Sequence, residues 1–267
     1  MKIGQLILLS VLTISPALAH DPVFGLGPHV MYKGGVEIAP QISTEKEQDE
    51  RGTELAVELT YGITGDWAAG VELPWVDKNG INNNSGPGDV SVFSKYRFWR
   101  RDSLGVQQSA SILGKLKFAT SAGGLPPLGS GSTAGLLGLA YGYESRKWYR
   151  WAGVRYRVNG ENNRGFRQGN KLLLDLVGGI RLKLTAYDEP DTVWLVELNG
   201  EYTDRSVMDG NRQANSGGTE WFVSPGIFWT LRNFAVKAGV QIAVASYLNG
   251  EQPKTDYRAK LVLEWHL

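Results

Sequence analysis

Tyr257-Arg258-Ala259-Lys260-Leu261-Val262-Leu263-Glu264-Trp265-His266-Leu267 closes the chain, and its alternation decides the fold. Successive side chains of an extended strand point to opposite faces, so Tyr257, Ala259, Leu261, Leu263, Trp265 and Leu267 share one face. Arg258, Lys260, Glu264 and His266 share the other, with Val262 among them. Buried in an ordinary sandwich core, the second face would leave charges unpaired. The first ends in a Trp and a Leu that a soluble protein seldom exposes. Lipid outside and water inside satisfy both faces. The competing expectation is an edge strand of a soluble antiparallel sheet.

Working back from this strand, the same period recurs. Leu55, Val57, Leu59, Tyr61 and Ile63 alternate with Glu54, Ala56, Glu58, Thr60 and Gly62. After a tight turn at Gly65-Asp66, Trp67, Ala69, Val71, Leu73 and Trp75 form the return strand, with Glu72 on its inner face. Further strands are expected at 33–48, 90–99, 107–118, 133–143, 148–158, 171–184, 193–202, 220–230 and 234–247. That makes about twelve, each near the 9–11 residues that cross a membrane obliquely. The connections alternate between long polar loops (77–88, 120–131, 159–169, 203–218, 248–256) and shorter turns (65–66, 101–105, 145–147, 185–191, 231–233). The expected fold is therefore an all-β, transmembrane antiparallel β-barrel. An even strand number puts both termini on one side, with short periplasmic turns and longer extracellular loops.

The other end of the chain agrees. Lys2 precedes an apolar run from Ile3 to Ile14, and Ala17-Leu18-Ala19 offers the small residues that a signal peptidase reads. Residues 1–19 are expected to be a cleaved signal peptide, residues 20–32 a periplasmic or plug-like segment rich in Pro and Gly, and residues 33–267 the barrel. The expected location is the bacterial outer membrane. The chain has no cysteine, so no disulfide holds it, and stability must come from a large continuous hydrogen-bonded structure, which a closed barrel supplies, or from a core. It is 42% hydrophobic with a slightly negative mean hydropathy, the average that alternation produces. Its 34 glycines suit a curved sheet and its nine tryptophans suit a membrane–water interface. Trp67, Trp75, Trp194, Trp221, Trp229 and Trp265 are the expected interface aromatics. The net charge of +1 and the lack of a basic run with interleaved aromatics give no reason to expect nucleic acid.

Parity along each strand places Lys95, Arg97, Lys115, Lys117, Arg155, Arg157, Arg181, Lys183, Arg258, Lys260, Glu72 and Glu197 on the luminal face, with further acidic and basic residues of both signs. Two readings follow. The charges form a ladder of cross-strand ion pairs that satisfies a wet interior, or the basic pairs line a stripe that draws anions and polar solutes through. Twelve strands imply a narrow lumen that small solutes pass and folded proteins do not.

The stretch from Glu54 to Trp67, continuing through Gly70-Val71-Glu72-Leu73-Pro74-Trp75 and Gly88-Asp89-Val90, resembles the outer-membrane transporters grouped as the "MetA-pathway of phenol degradation" family. The closing strand likewise resembles that of bacterial outer-membrane barrels, where the last residue is usually aromatic and here is Leu267. The resemblance implies a porin-like barrel for passage of small solutes, sometimes encoded beside pathways for aromatic compounds. It carries over no binding residues. The expected partners are outer-membrane lipid, the barrel-assembly machinery and the solutes themselves, with no cofactor.

Alternatives are a structural barrel without transport and a metal-handling protein. In the latter, His20, at the new N-terminus, would offer imidazole and α-amine to copper, with His29 nearby. An enzyme is disfavoured, since a barrel phospholipase needs a His-activated Ser and the three histidines, His20, His29 and His266, have no Ser two positions on.

Overall fold

The alternation in the sequence becomes a closed hydrogen-bonded ladder. The structure, a computed structural model, describes residues 21–80, 82–123, 125–185 and 189–267; the expected leader and His20 lie outside the described residues. The strands are β1 (Val36–Glu47), β2 (Glu50–Gly62), β3 (Trp67–Asn79), β4 (Asn84–Pro87), β5 (Ser91–Ser103), β6 (Val106–Lys117), β7 (Ala134–Ser145) and β8 (Trp148–Asn159). They continue as β9 (Phe166–Arg167), β10 (Lys171–Arg181), β11 (Asp191–Thr203), β12 (Val207–Met208), β13 (Asn211–Arg212), β14 (Gly218–Leu231), β15 (Phe234–Leu248) and β16 (Thr255–His266). Twelve of these are long and pair antiparallel with both neighbours in the wall; β1 pairs with β16 and β2 with β3, which closes the barrel and removes its edges. The short strands lie in loops. β4 folds back on the end of β3, while β9, β12 and β13 form a small sheet of their own among the loop-end connections.

Both ends of the barrel wall meet at one rim, where Leu267 N donates to Val36 O at 2.8 Å. Short turns follow β2, β5, β7 and β14 at this turn end, and the long connections lie at the opposite, loop end. Two connections depart from that sorting. β1 and β2 join at the loop end through Gln48 and Asp49 alone, with Gln48 at φ 52°. The strand after this turn starts at Glu50 rather than at 54, because polar residues on both faces extend the ladder beyond the apolar band. At the turn end, β10 and β11 are joined by a longer connection, 182–190.

Pro40 sits inside β1 and lacks a donor. Its pairing with β2 is continuous, whereas the β16 ladder skips from Ile38 to Gln41. The irregularity thus falls on one side only. Along β16, Tyr257, Ala259, Leu261, Leu263 and Trp265 face outward; Arg258, Lys260, Val262, Glu264 and His266 face in. All six expected interface tryptophans lie on the outer face. Trp67, Trp194, Trp229 and Trp265 sit near the turn end with Trp99 and Trp148, and Trp75 and Trp221 near the loop end with Tyr156, Tyr202 and Tyr247. Two aromatic girdles thus flank an apolar band.

The closing strand carries the first prediction. Trp265 packs its ring 4.8 Å from that of Phe234, so Trp265→Asp removes an aromatic contact and charges the lipid face near an interface, together costing about 1–2 kcal/mol. Insertion into vesicles, read by heat-modifiable gel mobility, should fall. Lys260→Gln, on the luminal face, should insert as the parent does. Equal behaviour of the two would contradict this face assignment.

Candidate functional site

The inner face is largely polar and carries one apolar patch. Near the turn end, parity turns Tyr149 and Trp151 of β8, Val177 of β10, Val193 and Leu195 of β11, Phe228 of β14 and Ala235 of β15 into the barrel, where they form one buried cluster. Such groups do not face open water without a partner. Their partner is the segment 21–35, which runs inside the barrel without regular structure: Val23 joins the cluster and Phe24 packs against it. Leu26, Pro28, Val30 and Met31 are buried further along. Two wall glycines leave room for it. A Cβ on Gly138 would meet Leu26 at 2.8 Å, and one on Gly142 would meet Pro28 at 2.6 Å.

Charge pins the segment in place. Glu197, 1% exposed, accepts from Val23 N at 2.7 Å and Gly25 N at 2.9 Å, with Phe24 N shared between its oxygens at 3.2 and 3.3 Å. Three consecutive backbone N–H groups thus cradle one carboxylate, the arrangement that favours an anion. Arg155 Nη2 donates to Phe24 O at 3.1 Å and to Asp175 Oδ1 at 2.9 Å. Lys95 Nζ holds Asp21 at 2.7 Å. Burial pushes the Asp21 carboxyl up, but Lys95, with His29 and Lys237, outweighs it and holds the group at about 2. His29 lies 2.5 Å from Glu144, which also accepts from Trp151 Nε1 at 2.7 Å. Burial holds the imidazole down at about 3, so the histidine enters this contact neutral at pH 7. Near the rim, Tyr32 donates to Leu267 O at 2.7 Å.

The basic luminal residues expected from parity sort into three groups. Lys95, Arg97, Lys115, Lys117, Arg155, Arg181 and Arg258 are each held by a carboxylate: Asp21, Asp66, Glu72, Asp89, Asp175, Asp191, and Glu45 with Glu201. Arg157 and Lys260 face in from β8 and β16. Lys183 is corrected: β10 ends at Arg181, and Lys183 lies exposed in the connection beyond. The ladder stops there because the β8 partner begins at Trp148, opposite Ile180, and Arg181 turns its side chain to Asp191 and to Arg146 O. The geometry is a network of ion pairs that includes Glu72, while Glu197 accepts from the backbone of residues 23–25.

At the loop end, the connection 118–133 folds over the mouth. Asp89, just before β5, accepts from Ser121 N and Ser130 N, each at 3.0 Å, and from Lys117 Nζ at 3.0 Å. Burial pushes its carboxyl up; the hydrogen bonds outweigh this and hold it below the usual range. Leu128 is thereby buried beneath the mouth. Below it lies a cavity of about 280 Å³, lined by side chains that include Glu54, Glu72, Val76, Lys115, Lys117, Leu128, Leu136 and Arg157. A smaller cavity of about 100 Å³ lies near the turn end, where residues 21–31 contribute Asp21, His29, Val30 and Met31 to its lining.

Sequence reasoning placed Glu197 on the luminal face but missed its junction with Asp175 and Asn199 beneath residues 23–25, and it missed the Asp89 anchor. A signal for the former existed: Trp151, Leu195 and Phe228 fall on inward parity, and large apolar groups there require a covering segment. Glu37, Glu264 and His266 also converge, with ligating atoms within 4.8 Å of one another. Lys237 Nζ lies 2.5 Å from Glu264 and already supplies the positive charge that a metal would. Of the two histidines considered for copper, His29 is engaged with Glu144.

A closed twelve-stranded barrel, apolar and girdled by aromatics outside and ion-paired inside, defines an outer-membrane β-barrel protein. Residues 54–253 match the family described as "Putative MetA-pathway of phenol degradation", and the chain belongs to that family. Its fold is similar to the COG4313 outer membrane channel from Pseudomonas putida F1, with TM-score 0.69 and 17% identity over 93% of this chain and 100% of that one. It is also similar to the NanC porin, with TM-score 0.51 and 12% identity over 86% of this chain and 100% of the porin. No curated protein matches the sequence.

Proposed function

We propose that the protein is a non-enzymatic channel of the outer membrane for small solutes, aromatic and other small organic compounds among them, closed in the conformation described by residues 21–32. The observation that carries this reading is how that segment is held. It fills the barrel through side-chain contacts and hydrogen bonds to Glu197 and Arg155 without joining the sheet, so it can leave while the wall stays closed. The two similar structures are described as a channel and a porin, which supports the reading. In this proposal the leader is removed after Ala19, the turn end is periplasmic and the loop end extracellular. Outer-membrane lipid surrounds the apolar band, and the barrel-assembly machinery inserts it.

Single-channel conductance in planar bilayers tests the proposal. The refolded mature protein should show small, infrequent openings, and the same protein lacking residues 21–32 a steady conductance several-fold larger. A well-folded truncated barrel that passes no current would favour a structural role instead.

A further inference from the structure

We propose that the loop-end cavity is a binding site for a small organic monocarboxylate, anchored by Arg157 and kept selective for a single negative charge by Glu54. The proposal builds on the channel reading, since this is where a solute arriving through the loops would first be held.

The charges around the cavity are mostly spent on one another. Lys115 lies 3.0 Å from Glu72 and Lys117 3.0 Å from Asp89. Arg157 differs. Its Nε, like those of Arg155 and Arg181, is buried without a hydrogen-bond partner, but unlike theirs its guanidinium has no carboxylate within 4.0 Å among the described residues. Glu201, whose charge reaches it, is committed to Arg258 at 2.6 Å and to Lys171 at 3.3 Å. A guanidinium is a rigid fork of donors matched to a carboxylate, and a buried donor left unpaired is unfavourable. The natural occupant is therefore an anion with two acceptor oxygens.

The rest of the wall sets the body of that ligand. Val76 and Leu128 are buried, and Pro74 and Leu136 complete an apolar surface beside the guanidinium. A volume of about 280 Å³ is near the lower end for small-molecule sites, so the ligand is small. Glu54 lies in the same lining, without an ion-pair partner within 4.0 Å among the described residues. Its carboxylate opposes a second negative charge in this confined space.

The test is equilibrium binding of benzoate to the refolded mature protein in detergent micelles, by calorimetry, with benzyl alcohol and phthalate as comparison ligands. Benzoate should bind at least about tenfold more tightly than either. Arg157→Gln should remove that preference, Arg157→Lys should keep part of it, and Glu54→Gln should narrow the gap to phthalate. Heat-modifiable mobility verifies that each variant is folded. Benzoate binding equal to that of benzyl alcohol, or unchanged by Arg157→Gln in a folded barrel, would overturn the proposal. Because binding is read without current, a protein that binds benzoate and never conducts would keep the site and discard the channel.

Discussion

Glu197→Ala should give a barrel that assembles normally and opens more often than the parent, toward the conductance of the protein lacking residues 21–32. The side chain is 1% exposed and satisfies the N–H groups of Val23, Phe24 and Gly25. Without it, three donors inside the barrel lose their acceptor, each at about 1–3 kcal/mol. Opposing release are the burial of Val23, Leu26, Val30 and Met31, about 1.5–3 kcal/mol each, the Arg155 bond to Phe24 O and the Lys95–Asp21 pair. Glu197 is thus one of several anchors, and its loss should let the segment leave more often without expelling it outright. The wall should not follow, because β11 is held by main-chain pairing to β10 and β14 along its length. Glu197→Gln keeps one acceptor oxygen and should fall between the two. Conductance unchanged in Glu197→Ala would place the hold in the apolar contacts of Val23 and Leu26 instead.

The sequence made the wall legible and left its contents obscure, for a physical reason. Lipid and lumen impose opposite demands on successive residues, so each strand announces itself locally. Bulges between Arg97 and Trp99 and between Trp221 and Phe222 shift register without erasing the pattern. Partners are another matter. Glu197 meets Val23 across 174 positions, and Lys115 meets Glu72 across 43; nothing local fixes either distance. Parity places Arg155 and Arg157 on the same face, yet they differ in kind. Arg155 is tied to Asp175 and to Phe24 O, whereas Arg157 lines the cavity with no carboxylate within 4.0 Å among the described residues. A charge reversal at Arg155 would set a carboxylate against Asp175 and disturb the fold, so a probe of the conduction path belongs at Arg157 alone. Lys183 shows the limit of extrapolating parity, which continues in sequence past the point where the ladder has stopped.

Asp175→Ala should be among the most destabilising single changes in this barrel, lowering stability by about 3–5 kcal/mol, the range for stripping one partner from a buried ion pair. Asp175 is 2% exposed, and its Oδ1 accepts from Arg155 Nη2 and from Asn199 Nδ2, both at 2.9 Å. Asn199 in turn accepts from Ser224 Oγ at 2.9 Å and Gln241 Nε2 at 3.0 Å. One carboxylate thus organises side chains from β8, β10, β11, β14 and β15 across the floor on which residues 23–25 rest. Its loss strands the Arg155 charge beside a single carbonyl and frees the Asn199 amide. Reversible urea unfolding in lipid vesicles measures the effect as a lower midpoint with unchanged slope. Asp175→Asn retains an acceptor without the charge and should cost less. Arg155→Ala combined with Asp175→Ala should cost less than the sum of the two single changes, because the second substitution removes the charge that the first left unpaired. Strict additivity would mean that lumen water already screens Arg155, and that the floor is held by packing alone.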